Sequence, residues 1–297
     1  MNTFKDAIRA RDFVLTSECF LKSETDADAI RIQAEVLRDH VDGVVLTDNQ
    51  FGSLHMSTIA AGHLMIENEL DPIVQLSCRN RNRISLLADL LGAVALGTTS
   101  FLLVRGNRIP KNIVPRPKLV LDTNATDLIA MATSLKADNE LTSVPDLYVG
   151  GSITPHEPKA DWEPLKLIAK ADSGAQFMLT HTCMDLDLLR RYVNRLIAAK
   201  LTHRISIIVS TAILTSADDA RWMRDYRPNC QIPDSLIERL EAANDPREEG
   251  LSICSEQLRA LADMPGVAGA NLIASTDLRL VPEAIAASAI KEARPDG

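Results

Sequence analysis

The sequence has few aromatic residues and no excess of basic ones. Aromatic side chains make up 4% of its 297 residues, and the formal net charge is -8 at pH 7. Single-stranded nucleic acid is bound by stacking on aromatic rings, and duplexes are bound by concentrated lysine and arginine. The composition therefore argues against a nucleic-acid-binding protein.

Long apolar runs and paired cysteines are missing as well. No run is long enough to span a bilayer, and no signal-peptide pattern precedes the first apolar segment. The cysteines are Cys19, Cys78, Cys183, Cys230 and Cys254. Their scattered spacing, without a CxxC pair, indicates neither a zinc site nor a disulfide framework. We expect a cytoplasmic protein that binds no metal and no membrane.

Short β-rich apolar runs recur eight times, most of them about 30 residues apart, which is the length of one strand-helix unit. The runs are 13–16, 43–47, 73–78, 100–105, 147–151, 176–180, 205–210 and 267–274. Helical patterns lie between them at 27–40, 83–96, 124–135, 163–173, 185–200, 236–243 and 252–264. A terminal helix is expected at 281–293, with 294–297 frayed.

This alternation predicts the fold class. Strand-helix alternation is typical of a parallel sheet, and eight repeats predict closure into a single (β/α)8 TIM barrel over residues 1–297, with a short C-terminal helix. An open doubly wound sheet is the alternative. No GxGxxG motif follows the first run, so the dinucleotide fingerprint of that alternative is absent.

In such a barrel the chemistry lies where the strands end. Glu18 directly follows the first apolar run, and burial there would favour its protonated form and suit it to donate a proton. The structural alternative is a carboxylate paired with an arginine of the barrel. Arg105 ends the fourth run and is a candidate phosphate or flavin partner. His181 follows the sixth run, where a lone histidine predicts a polar contact more than a metal ligand.

Several segments resemble, in order, motifs of the methylenetetrahydrofolate reductase family. The first run resembles the family's opening strand, with Glu18 on its catalytic glutamate, and 43–48 resembles the second strand, with its flavin-contacting Thr47. Residues 103–107 resemble Leu-Arg-Gly-Asp, and 174–181 resemble Gly-Ala-Asp-Phe-x-x-Thr-Gln. Residues 75–82 are most similar to the branch in acetogenic bacteria, and the similarity extends over about 13–274.

The resemblance implies a flavoenzyme that interconverts 5,10-methylenetetrahydrofolate and 5-methyltetrahydrofolate by hydride transfer via FAD, with NAD(P)H as co-substrate. It implies Glu18 as the catalytic acid, and Asn107 and His181 as contacts of the reduced folate. The implied flavin contacts are Thr47, Gln75, Arg105, Asn107, Gly150 and Lys170. At Gly150 the alternative is that glycine only relieves crowding inside the barrel.

The sequence departs from the family pattern at four positions. Asn107 replaces the aspartate of Leu-Arg-Gly-Asp, Gln75 replaces a histidine, His181 replaces a glutamine, and Asn80 replaces an aspartate. An amide keeps the shape of a carboxylate but removes its charge. The changes leave alternatives open: oxidation of methyltetrahydrofolate, a flavin-free folate-dependent transferase or hydrolase, or a folate-binding subunit. A homo-oligomer and a partner subunit are equally open.

Overall fold

The computed structural model describes residues 3–10, 13–111, 113–135 and 144–290. Its parallel strands close into a barrel in chain order. They are β1 Val14–Cys19, β2 Gly43–Leu46, β3 Pro72–Ser77, β4 Ser100–Val104, β5 Tyr148–Ile153, β6 Phe177–Thr180, β7 Ser206–Ile213 and β8 Gly269–Ala274. β8 returns to pair with β1, so no strand edge is left open. The predicted (β/α)8 barrel is confirmed.

Helices surround the strands and cover their outer faces. They are α1 Phe4–Ala10, α2 Ala27–Leu37, α3 Thr58–Glu67, α4 Arg83–Ala95, α5 Ala125–Ser134, α6 Leu165–Asp172, α7 Leu186–Ala198, α8 Ala217–Tyr226, α9 Asp234–Ala242, α10 Pro246–Ala262 and α11 Leu280–Ser288. Short polar side chains fix where several of them begin: Asp26, Asn82 and Asp185 each accept a hydrogen bond from the first turn of a helix.

An aromatic cluster closes the N-terminal end of the barrel. Phe4 of α1 inserts there, with its ring centroid 5.1 Å from that of Phe177 and 5.6 Å from that of Tyr148. The Tyr148 and Phe177 rings stack at 5.3 Å. Because this end is filled by side chains, a ligand can enter the barrel from the opposite end, where the strands finish.

The helical patterns given above omit three of the α-helices, α1, α3 and α8. α1 is only seven residues long, and α8 is strongly charged, with only Ala220 and Met223 buried among its ten residues. The C-terminal helix is confirmed, but it ends at Ser288, and residues 291–297, where its predicted end and the frayed tail fall, lie outside the described residues. Within the described residues, no helix combines the length and apolarity that crossing a membrane requires.

Candidate active site

A cavity of about 310 Å³ lies inside the barrel at the C-terminal ends of the strands. Side chains alternate along β1, so Val14, Thr16 and Glu18 share one face, and Glu18 lines the cavity. Six of the sequence-predicted site residues line it: Glu18, Thr47, Gln75, Arg105, Asn107 and His181. The structure therefore brings together residues that are up to 163 positions apart, counting from 18 to 181.

Glu18 is paired with an arginine that the sequence did not single out. Arg227 follows α8, and its Nη1 lies 3.3 Å from Glu18 Oε2, while its Nη2 donates to Glu18 Oε1. The Glu18 side chain is 8% exposed and that of Arg227 is 10% exposed. Burial alone would lower the pKa of Arg227, but the charge of Glu18 and its hydrogen bonds raise it. The structural alternative given above, a carboxylate paired with a barrel arginine, is therefore the arrangement found.

His181 lies beside this pair as a neutral imidazole. Its pKa is lowered by burial first, and then by the charges of Lys170 and Arg227, while a hydrogen bond to the Pro228 backbone and the charge of Glu18 act in the opposite direction. A neutral ring offers one donor and one acceptor nitrogen. His181 can therefore contact a polar ring ligand without adding a charge.

Two arginines fix the loops that surround the cavity. Arg81 holds the buried Asp48 with both Nη atoms, at 2.6 and 3.1 Å. Arg79 donates to the backbone carbonyls of Asn49 and Asn107, at 2.9 and 3.1 Å. The loops after β2, β3 and β4 are thereby linked, and the backbone around Asn107 is positioned by a buried cation.

Several polar atoms of the cavity wall have no hydrogen-bond partner within the described residues. They are Oγ1 of Thr47, Oε1 of Gln50 and Nε of Arg227, all buried. Buried polar atoms are normally satisfied, because an unmade hydrogen bond costs about 1–3 kcal/mol. The Thr47 hydroxyl can donate and accept, Gln50 Oε1 can accept and Arg227 Nε can donate, so three residues of the wall keep unused hydrogen-bonding capacity.

A second cavity, of about 520 Å³, adjoins the first and shares Ser152 with it. Its wall combines cations and rings: Lys166, Lys170, His156, Trp162 and Tyr192. The His156 and Trp162 ring centroids are 4.8 Å apart, and burial lowers the pKa of Lys170. Cations beside aromatic rings suit phosphate and a stacked base.

A third pocket, of about 270 Å³, continues the first cavity on the side of the β4 loop. Arg79, Arg105 and Arg108 line it, and Arg105 and Arg108 are exposed. Neither of these two forms an ion pair with any residue that the structure describes. This side of the mouth is positively charged despite the acidic composition of the chain.

Two predicted flavin contacts lie away from the first cavity. Lys170 lines the second cavity, where its Nζ donates to the Ser152 carbonyl at 2.6 Å. Gly150 lines neither cavity. A Cβ at this position would lie 2.5 Å from the Phe177 ring. This distance agrees with the alternative stated for Gly150, namely that the glycine avoids crowding against the Phe177 ring inside the barrel.

Other wall residues were missed by sequence reasoning, above all Gln50 and Arg227. Gln50 begins a three-residue 3-10 helix, Gln50–Gly52, and Arg227 lies in the loop after α8; neither segment has a periodic pattern that marks a side chain as inward-facing. Arg227 is 209 residues from Glu18 along the chain, so only the barrel closure shows that they meet.

Comparison with known proteins identifies one family, and the solved structures with a similar fold include the two named below. The methylenetetrahydrofolate reductase family profile matches residues 3–282. No curated protein matches the chain. A Clostridium thermocellum protein described as binding two copies of 5-methyl-5,6,7,8-tetrahydrofolic acid is 16% identical, with a TM-score of 0.68 and 96% of each chain covered. DmoA from Hyphomicrobium sulfonivorans is 12% identical, with a TM-score of 0.56, covering 96% of this chain and 89% of DmoA.

Proposed function

The chain belongs to the methylenetetrahydrofolate reductase family, and we propose that it interconverts 5,10-methylenetetrahydrofolate and 5-methyltetrahydrofolate by hydride transfer through bound FAD. One observation carries this proposal: the buried Glu18 lines one cavity together with Thr47, Gln75, Arg105, Asn107 and His181. A structural neighbour described as binding 5-methyltetrahydrofolate supports a reduced folate as the ligand.

The two adjoining cavities together offer the kinds of group that would bind FAD. The polar wall of the first suits the flavin ring, and the second offers Lys170 for a phosphate and Trp162 for a base. Thr47, Gln75 and Arg105 would hold the ring end. When bound, FAD would supply the hydride acceptor and donor that no amino-acid side chain provides.

On the folate side, the roles fall to residues of the same wall. The Asn107 amide offers a donor and an acceptor, and His181 offers the ring nitrogen that is not bonded to Pro228, which suits the mixed pattern of a pterin edge. Glu18 would exchange a proton with folate N10 as the five-membered ring opens or closes. NAD(P)H is the proposed partner substrate for the reductive direction.

A flavin-free folate-binding protein is the second candidate, and the size of the first cavity favours it. At about 310 Å³ the cavity lies at the lower end of the roughly 300–1,000 Å³ of ligand pockets, enough for one ring system. Gly150, expected beside the flavin, faces Phe177 instead. In this candidate the pterin would occupy the place given above to the flavin.

The visible absorption spectrum of the purified protein with added FAD separates the two candidates. A bound-flavin spectrum that bleaches with NADH or with 5-methyltetrahydrofolate is expected. Glu18→Gln should retain the flavin but lose about 10²- to 10⁴-fold in turnover, whereas Glu35→Gln, on an exposed position of α2, should not. A protein that binds reduced folate but ignores FAD would contradict the flavoenzyme and support the second candidate.

A further inference from the structure

The charge state of Glu18 is set by its surroundings. Arg227 contacts both carboxylate oxygens, and both side chains are about nine-tenths buried. A buried carboxylate that loses its cation is strongly disfavoured as an anion, whereas one that keeps a two-point arginine contact is stabilised as an anion. The arrangement places a guanidinium against both carboxylate oxygens of Glu18.

Arg227 is held in place by a short segment that is bonded to neighbouring loops. Its own N–H donates to Met223 at the end of α8, at 3.0 Å. Four residues on, the backbone N–H of Gln231 donates to Thr182 at 2.9 Å, and the Gln231 amide donates to Pro155 at 2.7 Å. The backbone on both sides of Arg227 is therefore fixed, and its buried side chain extends to Glu18 from a defined position.

The other titratable groups around the pair leave this charge assignment unchanged. His181 is on the β6 side and neutral, and Cys19 is the next residue of β1, where burial and then Glu18 raise the pKa of its thiol to about 12. Beyond Arg227 lie Cys230, with a thiol pKa of about 11, and Asp219 of α8. Arg227 is thus the cation in direct contact with Glu18.

We propose that Arg227 is a positioning residue that keeps Glu18 ionised, so that Glu18 acts as the proton acceptor and the site favours oxidation of 5-methyltetrahydrofolate. This inference rests on the proposed function and assigns its working direction. The neutral Asn107 agrees with this direction. An amide beside the flavin would oppose the negative charge of the reduced flavin less than a carboxylate would.

In the oxidative direction, ring closure of the folate transfers a proton from N10 to Glu18. Loss of a hydride from the methyl group, for which bound FAD would supply the acceptor, would leave an iminium between folate N5 and the carbon. The N10 lone pair forms the new N10–carbon bond, and the carbon–nitrogen π pair returns to N5. The N10–H bond breaks and its proton passes to a Glu18 oxygen, so that the cationic iminium and the carboxylate become two neutral groups.

The opposite direction starts at a disadvantage. Reduction requires Glu18 to donate a proton, so the carboxylate must first be protonated against its arginine contact. Oxidation begins from the ionised state that the structure presents. Proton release after each oxidative turnover is assisted by the same cation, because Arg227 favours return of the carboxylate.

Carboxyl-carbon NMR of glutamate-labelled protein tests this assignment without requiring turnover. The Glu18 signal is identified by its loss in Glu18→Gln, and its titration midpoint is compared between wild type, Arg227→Met and Arg227→Lys. Removal of the cation should raise the midpoint by about one pH unit or more, and lysine should restore part of the shift. Arg224→Met removes an α8 arginine that pairs with Asp234 at the surface, and it should leave the midpoint unchanged.

Kinetics provide the second measurement. The acidic limb of 5-methyltetrahydrofolate oxidation should move to higher pH in Arg227→Met by the same amount as the NMR midpoint. If Arg227→Met does not fold, Arg227→Gln, which keeps donors without the charge, replaces it. An unshifted midpoint in a folded variant, or faster reduction than oxidation in the wild type, would overturn the inference. Absence of folate turnover in both directions would overturn the proposed function and the oxidative direction with it. The NMR midpoint would still show whether Arg227 stabilises the Glu18 carboxylate.

Discussion

The ammonium group of Lys170 donates a 2.6 Å hydrogen bond to the carbonyl of Ser152, the residue that the two adjoining cavities share. An ammonium has three donors, and this bond uses one of them. The remaining donors can turn to the second cavity, which Lys170 also lines. Lys170 therefore lies at the junction that an elongated dinucleotide would have to cross.

Replacement of Lys170 by methionine tests that junction. Loss of a charged hydrogen bond costs about 1.5–3 kcal/mol, so FAD affinity should fall about 10- to 100-fold. Flavin fluorescence quenching measures the affinity. Lys159→Met changes an exposed lysine of the preceding loop that does not line the cavity, and it should bind FAD as the wild type does. Equal affinities in the two variants would remove Lys170 from the proposed flavin contacts.

Gly150 and Gly151 form a matched pair for testing crowding in the barrel. A Cβ on Gly150 would lie 2.5 Å from the Phe177 ring, whereas one on Gly151 would have its nearest neighbours at 3.4 Å. Gly150→Ala should therefore lower the free energy of unfolding by about 1–3 kcal/mol, and Gly151→Ala should change it much less. Chemical denaturation measures both.

A second substitution identifies the ring responsible. Phe177→Leu in the Gly150→Ala background makes room for the new methyl group and should recover part of the lost stability. If Gly150→Ala instead leaves stability intact and weakens flavin binding, the glycine contacts the cofactor as the family resemblance implies, and the crowding explanation is wrong.

The contrast between strands and loops explains how much the sequence could predict. The strands are buried on both faces, so each forms a short apolar run that stands out from its surroundings. Glu18 was predictable because it ends such a run. Gly150 lies opposite Phe177 in the register of the β5–β6 pair. This register depends on the closure of the barrel, which no local sequence pattern indicates.

Arg227 and α8 show where sequence reasoning stops. α8 buries only two of its ten side chains, so it lacks the apolar stripe that marks a helix in the sequence. The arginine that follows it sits among other charged residues and looks like part of a solvated surface. Its partner is 209 residues away along the chain. The sequence offered an arginine partner for Glu18 as one alternative, but it did not identify which arginine.

The buried Asp48–Arg81 pair should be costly to break from one side. Asp48 also accepts a 2.8 Å hydrogen bond from the Ser77 backbone, and its side chain is 2% exposed. Arg81→Met leaves this carboxylate without its cation and should cost about 3–5 kcal/mol of unfolding free energy. Asp48→Asn combined with Arg81→Met removes both charges and should be less destabilised than Arg81→Met alone.

The surface pair of Arg83 and Asp122 is the control for that comparison. Its side chains are 60% and 37% exposed, so Arg83→Met should cost no more than about 1 kcal/mol. Denaturant titration gives all the values. A double variant as unstable as the sum of its single variants would show that the two charges do not act as a pair.

Asp71 should make stability depend on pH. Its carboxylate lies at the filled end of the barrel and accepts a 2.9 Å hydrogen bond from the Phe4 backbone. Burial raises its pKa from 3.8 to about 6, against the opposing effect of that hydrogen bond. Between these values the folded protein holds a proton that the unfolded chain has lost, so the free energy of unfolding from this group falls as pH rises through the window.

Asp71→Asn isolates this contribution, because the amide oxygen can still accept the Phe4 hydrogen bond but cannot ionise. A pKa shift of this size corresponds to about 3 kcal/mol. Relative to Asp71→Asn, the wild type should therefore lose up to about that amount of unfolding free energy between pH 4 and pH 7. Asp161→Asn, at an exposed loop position, should follow the wild type. A wild type and Asp71→Asn that differ by the same amount at every pH would mean that Asp71 does not titrate in this range.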